Sequence, residues 1–337
     1  MTARIGVTGL GRIGELHAHN LAGSGLVSSL VLHDADGEKA RALAAHLGTD
    51  VAGSFQELLR CGLDGLVVAT PTPSHADLVT DALRRDVATF CEKPLALSLG
   101  ASRAVAALAV ERAAPLQVGL QRRCDPELLE LRARLHRGDD GRLIGLRLVS
   151  SSWRPPPREY VPGSGGFFRD KLLHDVDVVR WLTGGAIVAA AVVGTGAATG
   201  WMSEEGDVDT VSASLILAGG VVAQIWAARL SPTRFEFRLD AVCERRELSA
   251  GRWDEGDPAQ PTRAESPFGT FIDRFAEAYS AEMVSFCRLV AGTGANVCTG
   301  PDAVESEIAA AALERAWREG RVVRLAEMAW ELGESDE

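Results

Sequence analysis

The stretch VTGLGRIGELHA, residues 7–18, decides the fold of the first half of this chain. It follows a β-rich start and spaces its three glycines as Gly9-x-Gly11-x-x-Gly14. In such a pattern the first glycine permits a tight turn from strand to helix, the second lets the backbone approach a pyrophosphate, and the third lets helix and strand pack closely. The helix N-terminus behind the turn offers free N–H groups and a positive dipole end to an anion. The stretch therefore predicts a phosphate-binding loop at the start of a parallel α/β sheet.

An acidic residue further along strengthens this interpretation. The glycine spacing alone is weak in a chain with 35 glycines, but Asp34 ends the second predicted strand, 34 − 14 = 20 residues after the last glycine. A carboxylate at this position accepts hydrogen bonds from ribose hydroxyls and repels a 2′-phosphate, and no arginine follows to receive that phosphate. The alternative is a similar domain that binds no dinucleotide. We expect binding of NAD, in preference to NADP, through Gly9, Gly11, Arg12, Ile13, Gly14 and Asp34.

Length and composition limit the classes of protein to consider. A chain of 337 residues, 46% hydrophobic and 24% charged, predicts about two globular domains. A net charge of −11 argues against a nucleic-acid-binding surface or an anionic membrane surface. The six cysteines show no spacing typical of metal ligands, no secretion signal is visible, and the most apolar run, 186–194, is too short to span a bilayer. We expect a cytoplasmic protein without a metal.

The order of predicted elements separates the two domains. Strand and helix signals alternate up to residue 121, which predicts a doubly wound Rossmann domain over 1–121. From 122 to 330 the strands mostly follow one another, so the second domain is predicted as α+β, with a large, mainly antiparallel open sheet. The predicted strands are 142–153, 186–196, 207–217, 220–230 and 234–243. Two Pro/Gly-rich loops (153–166, 253–269), two closing helices (270–292, 302–319) and an acidic tail (331–337) complete the predicted organisation.

One predicted helix carries three residues that could do chemistry. Asp170, His174 and Asp177 stand at i, i+4 and i+7, which at roughly 100° per residue brings them within about 60° of one another. A general base beside a carboxylate that orients it needs such a spacing. However, Lys171 and Asp175 continue the polar arc, so a solvated helix face explains the pattern equally well. A metal bound by His and Asp one turn apart is a further alternative.

A lysine in the segment TFCEKPLAL, residues 89–97, raises the same kind of question. The chain has 35 Lys+Arg but only three lysines, which leaves 35 − 3 = 32 arginines. Arginine keeps its proton in proteins, whereas the pKa of a lysine moves readily on desolvation. Lys93 is therefore either a catalytic group or a residual surface charge, and this segment alone favours the second.

Together the motifs resemble one family of oxidoreductases. The chain is similar to the glucose–fructose oxidoreductase / inositol dehydrogenase (Gfo/Idh/MocA) family, and most of all to its inositol 2-dehydrogenase-like members. The resemblance rests on five segments in the family's order, together with the two closing helices. The segments are VTGLGRIGELHA, VVATPTPSHADLV, CEKP, VGLQRRCDP and GGFFRDKLLHDVDVVRWLTG.

The resemblance implies an activity and roles for particular residues. It implies an NAD(P)-dependent dehydrogenase that acts on a secondary CH–OH group of a cyclic polyol or sugar and forms a homodimer or homotetramer. Lys93 matches the lysine that hydrogen-bonds the reacting hydroxyl, His174 the general base, and Asp170 the aspartate that orients both. By the same likeness Arg123 and Asp177 hold substrate hydroxyls. Thr70, His75 and Glu92 are implied to lie near the cofactor.

Two departures from the family pattern concern the substrate. Trp153 stands in a segment where inositol dehydrogenases carry a histidine or an arginine–aspartate pair, and Phe235 stands where a tyrosine is expected. Both changes remove hydroxyl-binding groups, so Trp153 and Phe235 are predicted to line a pocket for a substrate less polar than free inositol. Two other functions stay open. They are an NAD-retaining glycoside hydrolase on the same fold and a non-catalytic NAD-binding regulator.

Overall fold

The computed structural model describes residues 2–231, 235–251 and 270–332, and their contacts group into two units. The first unit comprises Met1–Cys124 and Ala278–Glu305, and the second comprises Asp125–Glu277 and Ser306–Glu337. The boundary after Cys124 lies close to the predicted one. The predicted domains, 1–121 and 122–330, are contiguous, whereas Ala278–Glu305 returns to the first unit. The predicted loop 253–269 and residues 333–337 of the predicted tail lie outside the described residues.

The first unit contains the predicted Rossmann sheet. Its six strands are all parallel, in the order β3-β2-β1-β4-β5-β6. They are β1 (Ala3–Thr8), β2 (Val27–His33), β3 (Asp50–Val51), β4 (Gly65–Val68), β5 (Ala88–Glu92) and β6 (Leu116–Gly119). The connecting helices are α1 (Arg12–Ala22), α2 (Gly37–Leu47), α3 (Phe55–Leu59), α4 (His75–Leu83) and α5 (Leu99–Glu111).

The apolar core of this unit explains why a distant segment joins it. Ile5 and Val7 of β1 and Phe90 of β5 are fully buried. Met283 and Phe286, from the returning segment, are buried in the same cluster. Burying a side chain of this size contributes about 1.5–3 kcal/mol, so the packing fixes the returning segment against the Rossmann sheet.

The second unit contains the predicted open sheet of mostly antiparallel strands. The order is β12-β11-β7-β10-β9-β8-β13, and only the pairing of β7 with β10 is parallel among the described residues. The strands are β7 (Leu143–Ser151), β8 (Ile187–Thr195), β9 (Thr210–Leu217), β10 (Val222–Ala228), β11 (Glu236–Cys243), β12 (Glu247–Ala250) and β13 (Val323–Arg324). The predicted hairpin turn between β9 and β10 is present, with Gly219 and Gly220 at φ of +92° and +86°.

The remaining helices all begin after Asp125. They are α6 (Pro126–Arg137), α7 (Val161–Ser164), α8 (Leu173–Thr183), α9 (Phe271–Arg274), α10 (Ala276–Val290) and α11 (Gly300–Glu319). A π-helical turn, Phe167–Leu172, runs directly into α8. Short 3-10 turns are Thr72–Ser74, Gln121–Cys124, Arg158–Tyr160, Met202–Glu205 and Leu325–Leu332. Asp125 caps α6 as predicted, because its side chain accepts from Leu128 N. No helix in the described part of the chain is both long and apolar enough to cross a membrane.

Candidate active site

The glycine-rich loop joins β1 to α1, and its three glycines have different surroundings. Gly9 has a φ of +83°, and a Cβ atom there would lie 2.5 Å from the backbone nitrogen of Thr70. A Cβ atom on Gly14 would lie 1.8 Å from the carbonyl oxygen of Gly9. On Gly11, by contrast, a Cβ atom would have nothing within 4 Å. The fold itself therefore requires Gly9 and Gly14, while the space over exposed Gly11 is open for a ligand.

Asp34 follows β2 and is held against this loop by two backbone donors. Its Oδ2 accepts from Leu10 N at 2.6 Å, and its Oδ1 accepts from Asp36 N at 2.9 Å. Each carboxylate oxygen has a second lone pair, so the side chain can still accept from two ribose hydroxyls. This carboxylate could therefore serve a ribose, and the α1 N-terminus, with exposed Arg12 and half-buried Ile13, could hold a pyrophosphate.

His75 ties two loops of the first unit together. Its Nε2 lies 2.8 Å from the Thr70 carbonyl oxygen, and its Nδ1 lies 2.8 Å from the Pro94 carbonyl oxygen. Burial lowers the pKa of His75 most, while the two carbonyl contacts act to raise it. The ring is 1% exposed. The structure thus gives His75 a place beneath the loops, where it positions Thr70 and the segment after Lys93.

Lys93 directly follows β5, at the carboxyl edge of the parallel sheet where ligands bind in such folds. Its backbone N–H donates to Glu92 Oε2 at 3.2 Å. The other oxygen of Glu92 is 2.8 Å from Nε2 of buried His17. Lys93 itself is half-buried and precedes a cis peptide bond to Pro94. The Glu92 carboxylate therefore fixes the backbone from which the lysine side chain starts.

The second unit presents Asp170 from the π-helical turn, not from a regular α-helix. The predicted face at 100° per residue does not apply to Asp170, because a π turn holds more residues than an α turn. Such turns occur frequently at functional sites. Tyr160 Oη donates to Asp170 Oδ1 at 3.2 Å, and Arg229 Nη1 donates to Asp170 Oδ2 at 3.3 Å. Two donors from separate segments thus hold this carboxylate.

The start of the π turn is anchored by a second carboxylate. Both oxygens of Asp207 accept from Phe167 N, at 3.1 and 2.9 Å. Arg229 Nη2 lies 4.0 Å from Asp207 Oδ2, so its guanidinium pairs with Asp207 as well as with Asp170. It also stacks over the Phe167 ring at 5.5 Å. Arg229 is 4% exposed, and burial of this ion-paired group fixes the turn that carries Asp170.

The solvated-face explanation of this helix is wrong. Lys171 is 9% exposed and donates to Ser150 Oγ at 3.1 Å, and Asp175 is fully buried. Asp177 is 1% exposed, and its Oδ1 accepts from Ser306 Oγ at 2.8 Å. His174 is half-buried and lies in the first turn of α8. Lys171, Asp175 and Asp177 are therefore buried in the protein and do not form a solvated helix face.

The three remaining predicted residues lie in different settings. Arg123, in the first unit, is 5% exposed and donates to the Val297 carbonyl at 3.0 Å and to Asp302 Oδ2 at 3.2 Å. Trp153, in the second unit, is 41% exposed, with the Arg154 guanidinium 4.3 Å from its ring centre. Arg123 thus makes internal contacts, while Trp153 keeps an accessible face.

Phe235 lies in an aromatic cluster. It is 4% exposed and packs against Phe275 at 5.9 Å and Phe271 at 6.4 Å between ring centres. Phe275 also contacts Phe237 at 5.5 Å. A phenylalanine suits this apolar setting, so the absence of a tyrosine hydroxyl here does not require a change of substrate. Phe235 therefore gives no support to the prediction of a pocket for a substrate less polar than inositol.

Three neighbours of the predicted site were not predicted from the sequence, namely Arg229, Tyr160 and Asp207. A signal existed for Arg229, because it directly follows the two buried alanines that end β10, and a buried arginine is rarely left without a partner. Nothing in the spacing pointed to Tyr160 or Asp207, which approach Asp170 and Phe167 only through the fold. Among the described residues, one group has the composition of metal ligands, His17, Glu92 and Glu282.

The fold places the chain among two-domain proteins that join a Rossmann unit to an open, mostly antiparallel sheet. Residues 3–120 match the family model "Oxidoreductase family, NAD-binding Rossmann fold", and residues 128–249 match the "GFO/IDH/MocA C-terminal domain". The chain therefore belongs to the Gfo/Idh/MocA oxidoreductase family, as its motifs predicted.

Relatives of the same family are similar over nearly the full length. A myo-inositol dehydrogenase of Streptomyces leeuwenhoekii is 37% identical, with 94% of this chain and 98% of the relative covered. A scyllo-inositol 2-dehydrogenase (NAD(+)) of Bacillus subtilis is 30% identical, with 96% of each chain covered. The crystal structure of a myo-inositol dehydrogenase from Corynebacterium glutamicum superposes with a TM-score of 0.89 at 30% identity, covering 96% of this chain and 99% of the other.

Proposed function

We propose that this protein is an NAD-dependent dehydrogenase that oxidises a secondary alcohol of an inositol-like cyclic polyol. The observation that carries the proposal is the full-length similarity to inositol dehydrogenases, 37% over 94% of the chain for one of them. The structure supports it with a loop suited to a pyrophosphate, an acidic residue suited to a ribose, and an ordered aspartate–histidine helix. Oxidation of a secondary alcohol needs such groups for proton transfer and charge stabilisation.

The first unit would hold the cofactor. Gly9, Gly11 and Gly14 shape the loop, and the α1 N-terminus offers N–H groups to the pyrophosphate. Asp34, fixed by Leu10 N, would accept from the ribose hydroxyls and would repel a 2′-phosphate. We therefore include a preference for NAD over NADP in the proposal. Thr70 follows β4 and Glu92 ends β5, at the carboxyl edge of the sheet where a dinucleotide is expected.

Lys93, Asp170 and His174 are the proposed catalytic groups. When bound, NAD supplies the carbon that accepts the hydride. His174 would remove the hydroxyl proton, since a neutral imidazole is an effective base near neutral pH. The Lys93 ammonium would stabilise the negative charge that develops on the oxygen. Asp170 would orient these two groups, and its own orientation is set by Arg229 and Tyr160.

Substrate specificity is assigned to two polar residues and one aromatic residue. Asp177 and Arg123 would accept from and donate to substrate hydroxyls. Trp153, whose ring is 41% exposed, would cover an apolar face of a ring-shaped substrate. The buried Phe235 is a packing residue in this proposal.

The experiment is a turnover assay with a panel of inositols, aldoses and sugar acids, in which NADH formation is followed by its ultraviolet absorbance. We expect NADH to accumulate with at least one inositol. A glycoside hydrolase that retains its cofactor would instead release sugar from a glycoside with no net NADH. A regulator would bind NAD and turn over none of the panel, and that result would reject the proposed reaction.

We also propose that the protein is a homo-oligomer that pairs through the outer face of the open sheet. Alternate residues of neighbouring strands point to that face and stay exposed, among them Ile216, Val222 and Trp226. Arg147, Arg238 and Asp240 add opposite charges to the same surface. Exposed apolar patches rimmed by charge typically mark interfaces. Light scattering should give the molecular mass of a dimer or a larger oligomer. The Trp226→Glu variant should have the mass of a monomer.

A further inference from the structure

Behind the Glu92–Lys93 segment, the first unit contains a buried group of titratable side chains. His17 of α1, Glu92 of β5 and Glu282 of α10 place one ligand-type atom each within 4.8 Å of one another. Glu282 is 1% exposed, and neither of its oxygens has a hydrogen-bond partner in the described part of the chain. An ionised carboxylate in such surroundings is very costly, so its charge has to be removed or balanced.

The hydrogen bonds around Glu92 show which of the two carboxyl groups is ionised. Glu92 Oε1 is 2.8 Å from His17 Nε2, and Glu92 Oε2 accepts the backbone N–H of Lys93 at 3.2 Å. Nδ1 of His17 is buried and has no partner in the described part of the chain, so the imidazole proton is placed on Nε2. With that tautomer both oxygens of Glu92 accept, which is the pattern of a carboxylate. Two carboxylates this close cannot both keep their charge easily, and one of them then takes up a proton. Since Glu92 has the donors, that proton belongs on Glu282.

We propose that Glu282 carries a proton at neutral pH and that it acts through Glu92 as a positioning residue for Lys93. While Glu282 is neutral, Glu92 is the only charge of the pair and holds the Lys93 backbone. If Glu282 lost its proton, repulsion between the two carboxylates would disturb the hydrogen bond to Lys93 N. The location of the proton stands by itself, whereas the positioning role rests on the proposed catalytic function of Lys93.

The surroundings of Glu282 act in the same direction. Burial and the nearby Glu92 both raise the pKa of Glu282 well above its usual value, burial more strongly. Burial also raises the pKa of Tyr279, one turn earlier on α10, and the pKa of Cys124, which favours the neutral form of both. Neither side chain can carry a positive charge, so neither balances an anion. Arg122 and Arg12 act to lower the pKa of Tyr279, but burial acts more strongly. Tyr279 Oη itself accepts from Gln121 Nε2 at 3.0 Å.

A bound cation is the other way to neutralise Glu282. The contacts disfavour it, because His17 Nε2 and Glu92 Oε1 already bond each other and the second Glu92 oxygen is directed to Lys93 N. A metal ligand histidine must offer a lone pair at the nitrogen that here donates a proton. The two explanations predict opposite effects of a neutral side chain at this position, so one substitution separates them.

The test is Glu282→Gln, which keeps the shape and removes the titration. A carboxyl group whose folded-state pKa is raised stabilises fully below its unfolded-state pKa, and that stability is lost as pH rises toward the folded-state value. The glutamine variant has no titrating group at this position, so it does not lose this stability as pH rises. We expect similar melting temperatures for variant and parent near about pH 5, and a higher one for the variant near about pH 8. The ratio of their folding equilibrium constants should grow by up to about tenfold per pH unit.

Glu277→Gln is the matched control, because it makes the same change at an exposed position of the same helix. This control should show no such pH-dependent difference from the parent. Infrared spectra near about pH 8 should also show a protonated carboxyl band in the parent that the Glu282→Gln variant lacks, since exposed carboxyls are ionised there. Neither readout needs turnover, so they stay informative even if the proposed reaction is wrong.

Several results would overturn the proposal. A Glu282→Gln protein that is less stable than the parent at all pH values, or that is not recovered folded, would mean that the charge is needed. If a chelator lowered the melting temperature of the parent but not that of the variant, the buried group would hold a cation instead of a proton. For the positioning role, the ratio of kcat between variant and parent should rise with pH. A ratio that stays constant would reduce Glu282 to a structural residue.

Discussion

The different surroundings of Gly14 and Gly11 give a prediction with a built-in control. A Cβ atom at residue 14 would lie 1.8 Å from the Gly9 carbonyl oxygen, and this backbone atom cannot rotate away. Overpacking costs about 1–3 kcal/mol and more where backbone must move, against a gain of at most about 1 kcal/mol from alanine in a helix. We expect Gly14→Ala to lose about 2–3 kcal/mol, which lowers the melting temperature of a domain of this size by roughly 5–10 °C.

Gly11→Ala makes the same chemical change where nothing lies within 4 Å of the new atom. Its only expected cost in the free protein is a poorer helix N-cap, about 0.5–1 kcal/mol, or roughly 1–4 °C. The added methyl group does, however, occupy the space through which a pyrophosphate must approach the backbone. Thermal melts without cofactor and calorimetric titration with NAD should therefore separate the variants. Gly14→Ala should lose stability without ligand, and Gly11→Ala should lose NAD affinity while remaining nearly as stable as the parent.

Two outcomes would refute this reasoning. If Gly14→Ala melted like the parent, the close approach of helix and strand would not be needed. If Gly11→Ala bound NAD with unchanged affinity, the open space over residue 11 would not be where the phosphates lie. The loop would then be a turn that happens to carry glycines, and the proposed cofactor site would have to be sought elsewhere.

Three further predictions concern the proposed site. Lys93→Ala and His174→Ala should each lower kcat by at least about 100-fold, while NAD still raises the melting temperature; near-normal turnover in either variant would reject its role. NAD should raise the melting temperature more than NADP at equal concentration, and Asp34→Ala should narrow that difference; the reverse ranking in the parent would contradict the role of the carboxylate. Arg229→Met should cost about 3–5 kcal/mol because it leaves two buried carboxylates without their cation, and it should lower kcat as well; an unchanged melting curve would be incompatible with the ion pairs described.

Local sequence signals were enough for five of the six strands of the Rossmann sheet, because these strands contain apolar runs and the turns carry specific residues. The cap at Asp125 and the turn at residues 218–220 were readable for the same reason. The two-residue edge strand β3 was not predicted. The helix α3 was missed although Ser54 accepts from Glu57 N, the usual mark of a helix start. That signal was present in the sequence and was not used.

Other features could not be read from local patterns. Ala278–Glu305 joins the first unit because Phe286 and Met283 pack into its apolar core. Hydrophobic periodicity shows that a helix has an apolar face, but it does not show which part of the protein that face contacts. The π turn at Phe167–Leu172 has no propensity signal, so a wheel drawn with α-helical spacing misplaced Asp170. Likewise, nothing near Glu282 distinguishes it from an exposed acid of an amphipathic helix. In each case the missing information is a long-range contact.

The three lysines of the chain lie in different environments. Of the three lysines, Lys39 is exposed, Lys93 is half-buried, and Lys171 is buried with its Nζ donating to Ser150 Oγ. Lysine is therefore retained in this arginine-rich chain at a packing position as well as at the proposed catalytic one, and scarcity alone does not indicate catalysis. What distinguishes Lys93 is its support. Its backbone is hydrogen-bonded to Glu92, whose carboxylate is held in turn by buried His17. Lys171 also has a defined partner, but it lies within the π-helical turn and not at the carboxyl edge of a parallel sheet, where this fold binds its ligands.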